Sequence, residues 1–162
     1  MRSYARIGRR LEKKMVAINY TGSWITWKPK KERTAELFRL LKSGEKDTTL
    51  RDKVPRGLSV GKSIQHYYGM RTRGCVLIAL AECSTIQTLI IDPELGGMSV
   101  MDSENGSFYA LRDFEMDEVI RRDGFPDRDS FFRYFGSVGL RIRIGWKGLK
   151  PISPLRDVLD LL

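Results

Sequence analysis

One long, largely apolar stretch of the chain reads Cys75-Val-Leu-Ile-Ala-Leu-Ala-Glu-Cys-Ser-Thr-Ile-Gln-Thr-Leu-Ile-Ile91. β-Branched residues become frequent after Ser84, which favours extended structure over helix. The uninterrupted apolar run, Val76 to Ala81, is far shorter than the roughly 20 residues that a membrane-spanning helix needs. We therefore expect one long bent strand, or two strands, in this stretch.

The segments around this stretch alternate between strand-like and helix-like patterns. The expected strands are Met15–Tyr20, Thr48–Arg51, Ile64–Tyr68, Met98–Met101, Phe108–Leu111 and Leu140–Trp146. Helical spacing begins near Arg33 and stops at Ser43-Gly44, and shorter helices are expected around Met116–Ile120 and Phe131–Phe135. Runs of strands with few helices predict an α+β class, with a small antiparallel or mixed β-barrel rather than a parallel βαβ sheet.

The charge of the chain is positive and unevenly distributed. Its 162 residues include 29 Lys and Arg against 20 Asp and Glu, a net charge of +9. Residues 1–14 hold six basic residues against one acid and residues 28–73 hold 13 against five, whereas residues 82–130 hold four against 12. Separated positive and negative surfaces can orient a polyanion, so RNA is the expected partner.

Several classes of protein are disfavoured by composition. His66 is the only histidine, and no Walker or dinucleotide-binding loop is present, so no metal site and no cofactor are expected. Lying within an expected strand, His66 is predicted to be structural. Cys75 and Cys83 are expected to be reduced thiols on one face of a strand, about 26 Å apart. With no secretory signal or membrane span, a cytoplasmic location is expected.

The segment Ser43-Gly-Glu-Lys-Asp-Thr-Thr-Leu-Arg51 holds the candidate chemistry. In an extended chain Thr49 and Arg51 point to the same side, and Lys46 can reach the same pocket from the preceding turn. A partly desolvated lysine near Arg51 has a lowered pKa, which suits a general base, and a neighbouring threonine can act as a nucleophile. A solvated helix end is the competing interpretation of this cluster.

From about residue 16 to 146 the sequence resembles the ASCH domain of the PUA-like superfamily. The landmarks occur in order: Gly44-x-Lys46-x-x-Thr49-x-Arg51, Gly61-Lys-Ser-Ile-Gln65, Tyr68-Gly-Met-Arg-Thr-Arg-Gly-Cys75, Asp123-Gly-Phe125 with Phe131 and Phe135, and the strand ending in Trp146. The resemblance implies a small β-barrel with helices packed around a cleft, associated with RNA binding.

The family's usual motif has Glu where this chain has Thr49. The Lys-x-x-Thr-x-Arg form is similar to a bacterial branch that hydrolyses the amide of acetylated cytidine. Carried over, Lys46 is the base, Thr49 is the nucleophile, and Asp123 takes the place of the downstream acid. A ribonuclease-like branch leaves RNA cleavage open as another activity.

Aromatic residues among basic ones suggest further ligand contacts. The candidates are Trp27, Lys62, Tyr68, Arg71 and Arg73, joined with Arg51. An exposed aromatic ring can stack on an unpaired base while Arg and Lys meet phosphate. Trp24 and Trp27 are three residues apart, so one is expected to be buried and the other exposed.

The sequence predicts three regions: a basic arm at 1–14, an ASCH domain at 15–150 and a C-terminal tail at 151–162 with a short amphipathic helix from Pro154. The leading functional hypothesis is a domain that binds RNA or a nucleotide in a basic cleft. An amidohydrolase of an acylated pyrimidine nucleoside and a protein-interaction module are the alternatives, so other proteins are also candidate partners.

Overall fold

The computed structural model describes residues 15–20, 25, 28–71, 73 and 75–152. The expected basic arm, the C-terminal helix and Trp27 lie outside these residues. Pro151, the first residue of the predicted C-terminal tail, is the last residue of the final strand.

The strands are β1 (Val16–Tyr20), β2 (Thr48–Arg51), β3 (Ser63–Tyr68), β4 (Val76–Asp92), β5 (Gly97–Met101), β6 (Phe108–Ala110) and β7 (Gly139–Pro151). The helices are α1 (Lys30–Ser43), α2 (Asp113–Arg122) and α3 (Arg128–Phe135). The predicted order of elements is therefore confirmed, and the hairpin at Asn105-Gly106 connects β5 and β6.

The central apolar stretch is a single strand of 17 residues. The first part of β4 pairs with β3 and its last part with β5, while β7 follows its other edge. Register shifts against β7 fall between Leu80 and Glu82 and between Cys83 and Thr85, and such bulges bend a strand and increase its twist. The prediction that the cysteines share a strand face is wrong, because Cys75 precedes the strand and is exposed whereas Cys83 is buried.

The sheet is mixed. Five strands follow the order β1-β3-β4-β7-β2, with β5 and β6 added beside the far end of β4. All pairs are antiparallel except β1 with β3. This mixed sheet agrees with the expected architecture, and its one parallel pair arises because α1 and β2 carry the chain back so that β3 runs parallel to β1. Within the described residues no backbone ladder joins β1 to β2, so the barrel is open there.

Two apolar cores lie in this sheet. The first packs β1, β3, the start of β4 and α1 around residues such as Ile18, Leu37 and Ile64. The second packs the end of β4 and β5 against α2 and α3, around Leu89 and Phe131. Among the described residues, no helix is long and apolar enough to cross a membrane.

Candidate functional site

The segment after α1 is fixed by its backbone. Gly44 ends the helix with a φ of 77°, a left-handed conformation that glycine adopts without a Cβ penalty. The Lys46 amide then donates to the Leu40 carbonyl at 3.0 Å. Asp47 is held on both sides, since its amide donates to the Arg122 carbonyl and its carbonyl accepts from the Trp146 amide. Lys46 and Asp47 are thereby anchored between β7 and the end of α2.

The side chain of Lys46 is buried, with an exposed fraction of only 1%. Its ammonium donates to Asp123 Oδ1 at 3.1 Å, to the Asp123 carbonyl and to the Thr48 carbonyl at 2.8 Å. An ammonium has three N–H donors, so these oxygens offer an acceptor to each of them. The two sequence-predicted residues Lys46 and Asp123, 77 positions apart, therefore form one buried pair.

Burial opposes the charges of this pair. It lowers the pKa of Lys46 below its ordinary value, while the Asp123 carboxylate acts in the opposite direction and Arg51 adds a smaller lowering effect. Burial also raises the pKa of Asp123, against the effect of Lys46. The pKa of Lys46 is therefore lowered, as predicted for a desolvated lysine near Arg51, and burial is the larger of these two causes.

A small cavity of about 90 Å³ lies in the gap between β1 and β2. The buried pair Lys46 and Asp123 lines it and is called its floor below, and Thr49 and Arg51 line it from β2. The remaining lining residues are Asn19, Tyr20, Leu50, Phe125, Tyr134 and Phe135. All three predicted catalytic residues thus line one cavity, and Thr49 is nearly buried there.

Arg51 bridges the gap. Its Nη2 donates to the Asn19 carbonyl at 2.6 Å, and its guanidinium lies 5.6 Å from the centre of the Tyr20 ring. The Tyr20 hydroxyl is hydrogen-bonded to His66 Nδ1 at 3.0 Å, and burial raises the Tyr20 pKa, so this hydroxyl stays protonated. His66 is fully buried and packs edge-on against Trp146, in the structural role predicted for it.

A larger groove of about 510 Å³ adjoins the small cavity at Asn19 and Arg51. It is lined by Ala17, Ile18, Asn19, Arg51, Asp52, Lys53, Pro55, Met70 and Arg71. Arg71 is exposed and has a φ of 68°, which is uncommon for a residue with a side chain. Asn19 Oδ1 accepts a hydrogen bond from the Met70 amide at 2.8 Å, which ties the loop that carries Arg71 to β1.

The other predicted ligand residues lie elsewhere. Tyr68 is buried with its hydroxyl accepting a hydrogen bond from Thr34, because it shares the inward face of β3 with Ile64 and His66. It is therefore unavailable for stacking on a base, and its assignment to the site is corrected. Lys62 precedes β3 and is not among the residues that line the small cavity or the groove.

Arg73 is exposed but is not among the residues that line the groove. Sequence analysis missed the contributions of Asn19, Tyr20 and Tyr134. Asn19 offered a signal, since a polar residue between Ile18 and Tyr20 stands out in an apolar strand. Among the described residues, no three His, Cys, Asp or Glu side chains are grouped so as to hold a metal ion.

Structural comparison identifies similar solved structures, whereas no protein-family model and no curated protein matches the sequence. The crystal structure of ASCH from Zymomonas mobilis superposes with a TM-score of 0.51 and 15% identity, covering 87% of this chain and 72% of that chain. Two mutant forms of that protein superpose at 0.48 and 0.49, with 15% and 16% identity. They cover 87% and 91% of this chain, and 74% and 79% of theirs.

At 15% identity the comparison supports a shared fold and nothing more, and this conclusion rests on the first superposition. The expected architecture is confirmed: a mixed sheet with helices packed beside it. The chain therefore shares the α+β fold of that ASCH structure, with its candidate site in the gap between strands β1 and β2.

Proposed function

We propose that this protein binds RNA, or a nucleotide within it, across the gap between β1 and β2. The observation that carries the proposal is the position of Arg51, whose side chain lines both the small cavity and the adjoining groove. A planar guanidinium at that junction suits a phosphate or carbonyl oxygen. The groove has a volume within the range of ligand pockets, whereas the small cavity has room for a single chemical group.

The charge of the groove supports an anionic ligand. Lys53 and Arg71 are exposed on its rim, and Arg51 is half-buried at its inner end. Asp52, the one acid among the described residues of the lining, lies 3.5 Å from Arg141, which offsets its charge. Three cations facing one groove favour phosphate over an acidic or neutral surface.

Binding to a fluorescein-labelled single-stranded RNA, measured by anisotropy at several salt concentrations, tests the proposal. Raising salt from about 50 to about 200 mM is expected to weaken binding about tenfold or more. The double variant Lys53→Gln/Arg71→Gln should bind more weakly and lower the salt slope by about 2.

The matched control is Arg121→Gln/Lys150→Gln, which removes two exposed cations outside the groove. Equal losses from both double variants would mean that the net charge, not the groove, attracts RNA. Absence of RNA binding would favour the third hypothesis, a protein-interaction module.

A second function, hydrolysis of an acyl-amide on a modified pyrimidine nucleoside, is favoured by the shared location of Lys46, Thr49 and Asp123. In this proposal Lys46 is the base and Thr49 the nucleophile. Because the Lys46 ammonium already donates to carboxylate and carbonyl oxygens, it must lose a proton before it can act as a base. Its lowered pKa makes that loss easier.

Neighbouring threonines of β2 provide the test. Thr49→Val removes the hydroxyl in the cavity with little change of shape, and Thr48→Val does the same at a residue that does not line it. Acylated cytidines incubated with each variant are read by mass spectrometry. Loss of deacylation in Thr49→Val alone supports the proposal, and equal turnover in both variants excludes Thr49 as the nucleophile.

A further inference from the structure

The outer edge of β1 presents main-chain groups to the groove. The Gly69 amide donates to the Tyr20 carbonyl at 3.0 Å, which continues the parallel pairing of Tyr20 with Tyr68. In a strand, the N–H and C=O of one residue point to the same side, and alternate residues point to opposite sides. Tyr20 and Ile18 therefore face β3, whereas Ala17 and Asn19 face away from it. Independently, Arg51 binds the Asn19 carbonyl from across the gap.

Ala17 thus places one donor and one acceptor side by side on the wall of the groove. An unpaired nucleobase has the complementary arrangement, because every Watson–Crick edge carries neighbouring donor and acceptor atoms. Lys53 and Arg71 line the same groove and supply positive charge for a phosphate. One planar base with its phosphate matches both the neutral wall and the charged rim.

An extended peptide fits this edge less well. Strand addition relies on a row of main-chain hydrogen bonds. β1 has five residues, of which only Ala17 and Asn19 can be placed with their main chain toward the groove, and the Asn19 carbonyl is already bound by Arg51. The cations of the rim add nothing to recognition of a neutral peptide.

We propose that the groove holds a single unpaired nucleotide, with the main chain of Ala17 contacting its base edge and Lys53 and Arg71 contacting its phosphate. This inference rests on the proposed RNA binding and adds that the bound strand is read through a base and not through its phosphates alone. Duplex RNA, whose base edges are occupied by pairing, is therefore a poor ligand of this groove.

The first experiment compares three labelled ligands on the unmodified protein by anisotropy: a short single-stranded RNA, the same strand in a duplex, and a strand of equal length that lacks bases. The single strand is expected to bind about tenfold more tightly than the other two. If no ligand binds, the proposed function itself fails. If all three bind equally, RNA binding stands and the base contact is wrong.

The second experiment removes the Ala17 donor with Ala17→Pro. Proline is tolerated on an edge strand where the lost N–H does not belong to the ladder, and the Ala17 N–H faces away from β3. The variant is expected to bind single-stranded RNA about fivefold to tenfold more weakly with an unchanged salt slope. Lys53→Gln/Arg71→Gln should instead lower the slope.

Thermal unfolding checks that Ala17→Pro retains the fold. A folded variant with unchanged affinity for the single strand overturns the proposal. If the variant does not fold, the comparison of base-bearing with base-lacking strands on the unmodified protein decides the question alone.

Discussion

Two ion pairs connect the same two segments of the chain and differ chiefly in their access to water. Lys46 pairs with Asp123 on the floor of the small cavity, with side-chain exposed fractions of 1% and 7%. Their immediate neighbours Asp47 and Arg122 also pair, with both Arg122–Asp47 hydrogen bonds at 2.7 Å, but remain 29% and 32% exposed. The first segment supplies the cation Lys46 to one pair and the anion Asp47 to the other, and the second segment supplies their partners Asp123 and Arg122.

The difference in exposure predicts that the two pairs contribute unequally to stability. A buried charge that loses its partner keeps its desolvation cost, whereas a charge at the surface regains water. The inner pair therefore holds the floor of the cavity in one arrangement. The outer pair, Asp47 with Arg122, also joins the two segments but is expected to contribute less to the free energy of unfolding. Four measurements test this contrast, in order of decreasing effect.

Lys46→Met is expected to lower the free energy of unfolding by about 3–5 kcal/mol. The substitution leaves the Asp123 carboxylate and two main-chain carbonyls without the ammonium that binds them. Urea unfolding near neutral pH measures the loss. The double variant Lys46→Met/Asp123→Leu should recover part of it, since no buried charge remains. A single variant as stable as the unmodified protein would show that the pair does not hold the floor.

Acidification should lower the stability of the protein through His66, a buried side chain that stays neutral in the folded state near neutral pH. Burial lowers the pKa of His66 to about 3 from an ordinary 6.5, with smaller contributions from Lys46 and Arg51. The unfolded chain takes up a proton near pH 6.5 while the folded protein does not, so stability is complete above that pH and falls as the pH drops towards 3. The expected slope is up to about 1.4 kcal/mol per pH unit.

Urea midpoints of the unmodified protein and of His66→Phe, compared between about pH 7 and pH 5, isolate this contribution from carboxylates that titrate lower. As the pH falls, the unmodified protein should lose stability relative to His66→Phe, because only the unmodified protein carries the His66 contribution. Parallel pH profiles would show that His66 titrates equally in the folded and unfolded states.

Thr48→Val is expected to stabilise the protein by about 1 kcal/mol. The Thr48 hydroxyl is buried and has no hydrogen-bond partner among the described residues. Valine has nearly the same shape and removes the unsatisfied polar atom. Chemical unfolding provides the measurement, and destabilisation by the substitution would point to a partner for this hydroxyl.

Arg122→Gln should have the smallest effect, a loss below about 1 kcal/mol that diminishes at high salt. Arg121→Gln, which removes an exposed arginine from the neighbouring position of α2, is the matched control. A loss from Arg122→Gln as large as that from Lys46→Met would remove the distinction between the floor and the rim.

The sequence by itself determined the elements and the chemical identity of the floor. β-Branched residues after Ser84 predicted extended structure in β4, and the stop at Ser43-Gly44 predicted the end of α1, because these signals depend on local backbone preferences. The spacing of Lys46, Thr49 and Arg51 placed three candidate residues on one short segment. Asp123 was reached only through the family resemblance.

Only the tertiary structure decided which residues surround the cavity. The parallel pairing of β1 with β3 leaves the outer edge of β1 opposite β2, and no local pattern encodes that distance. The same packing turns Tyr68 inward against Thr34 and brings Asn19 to Arg51. Local preferences specify where strands begin and end, whereas burial of apolar surface selects which strands meet, and the site lies where two of them do not pair.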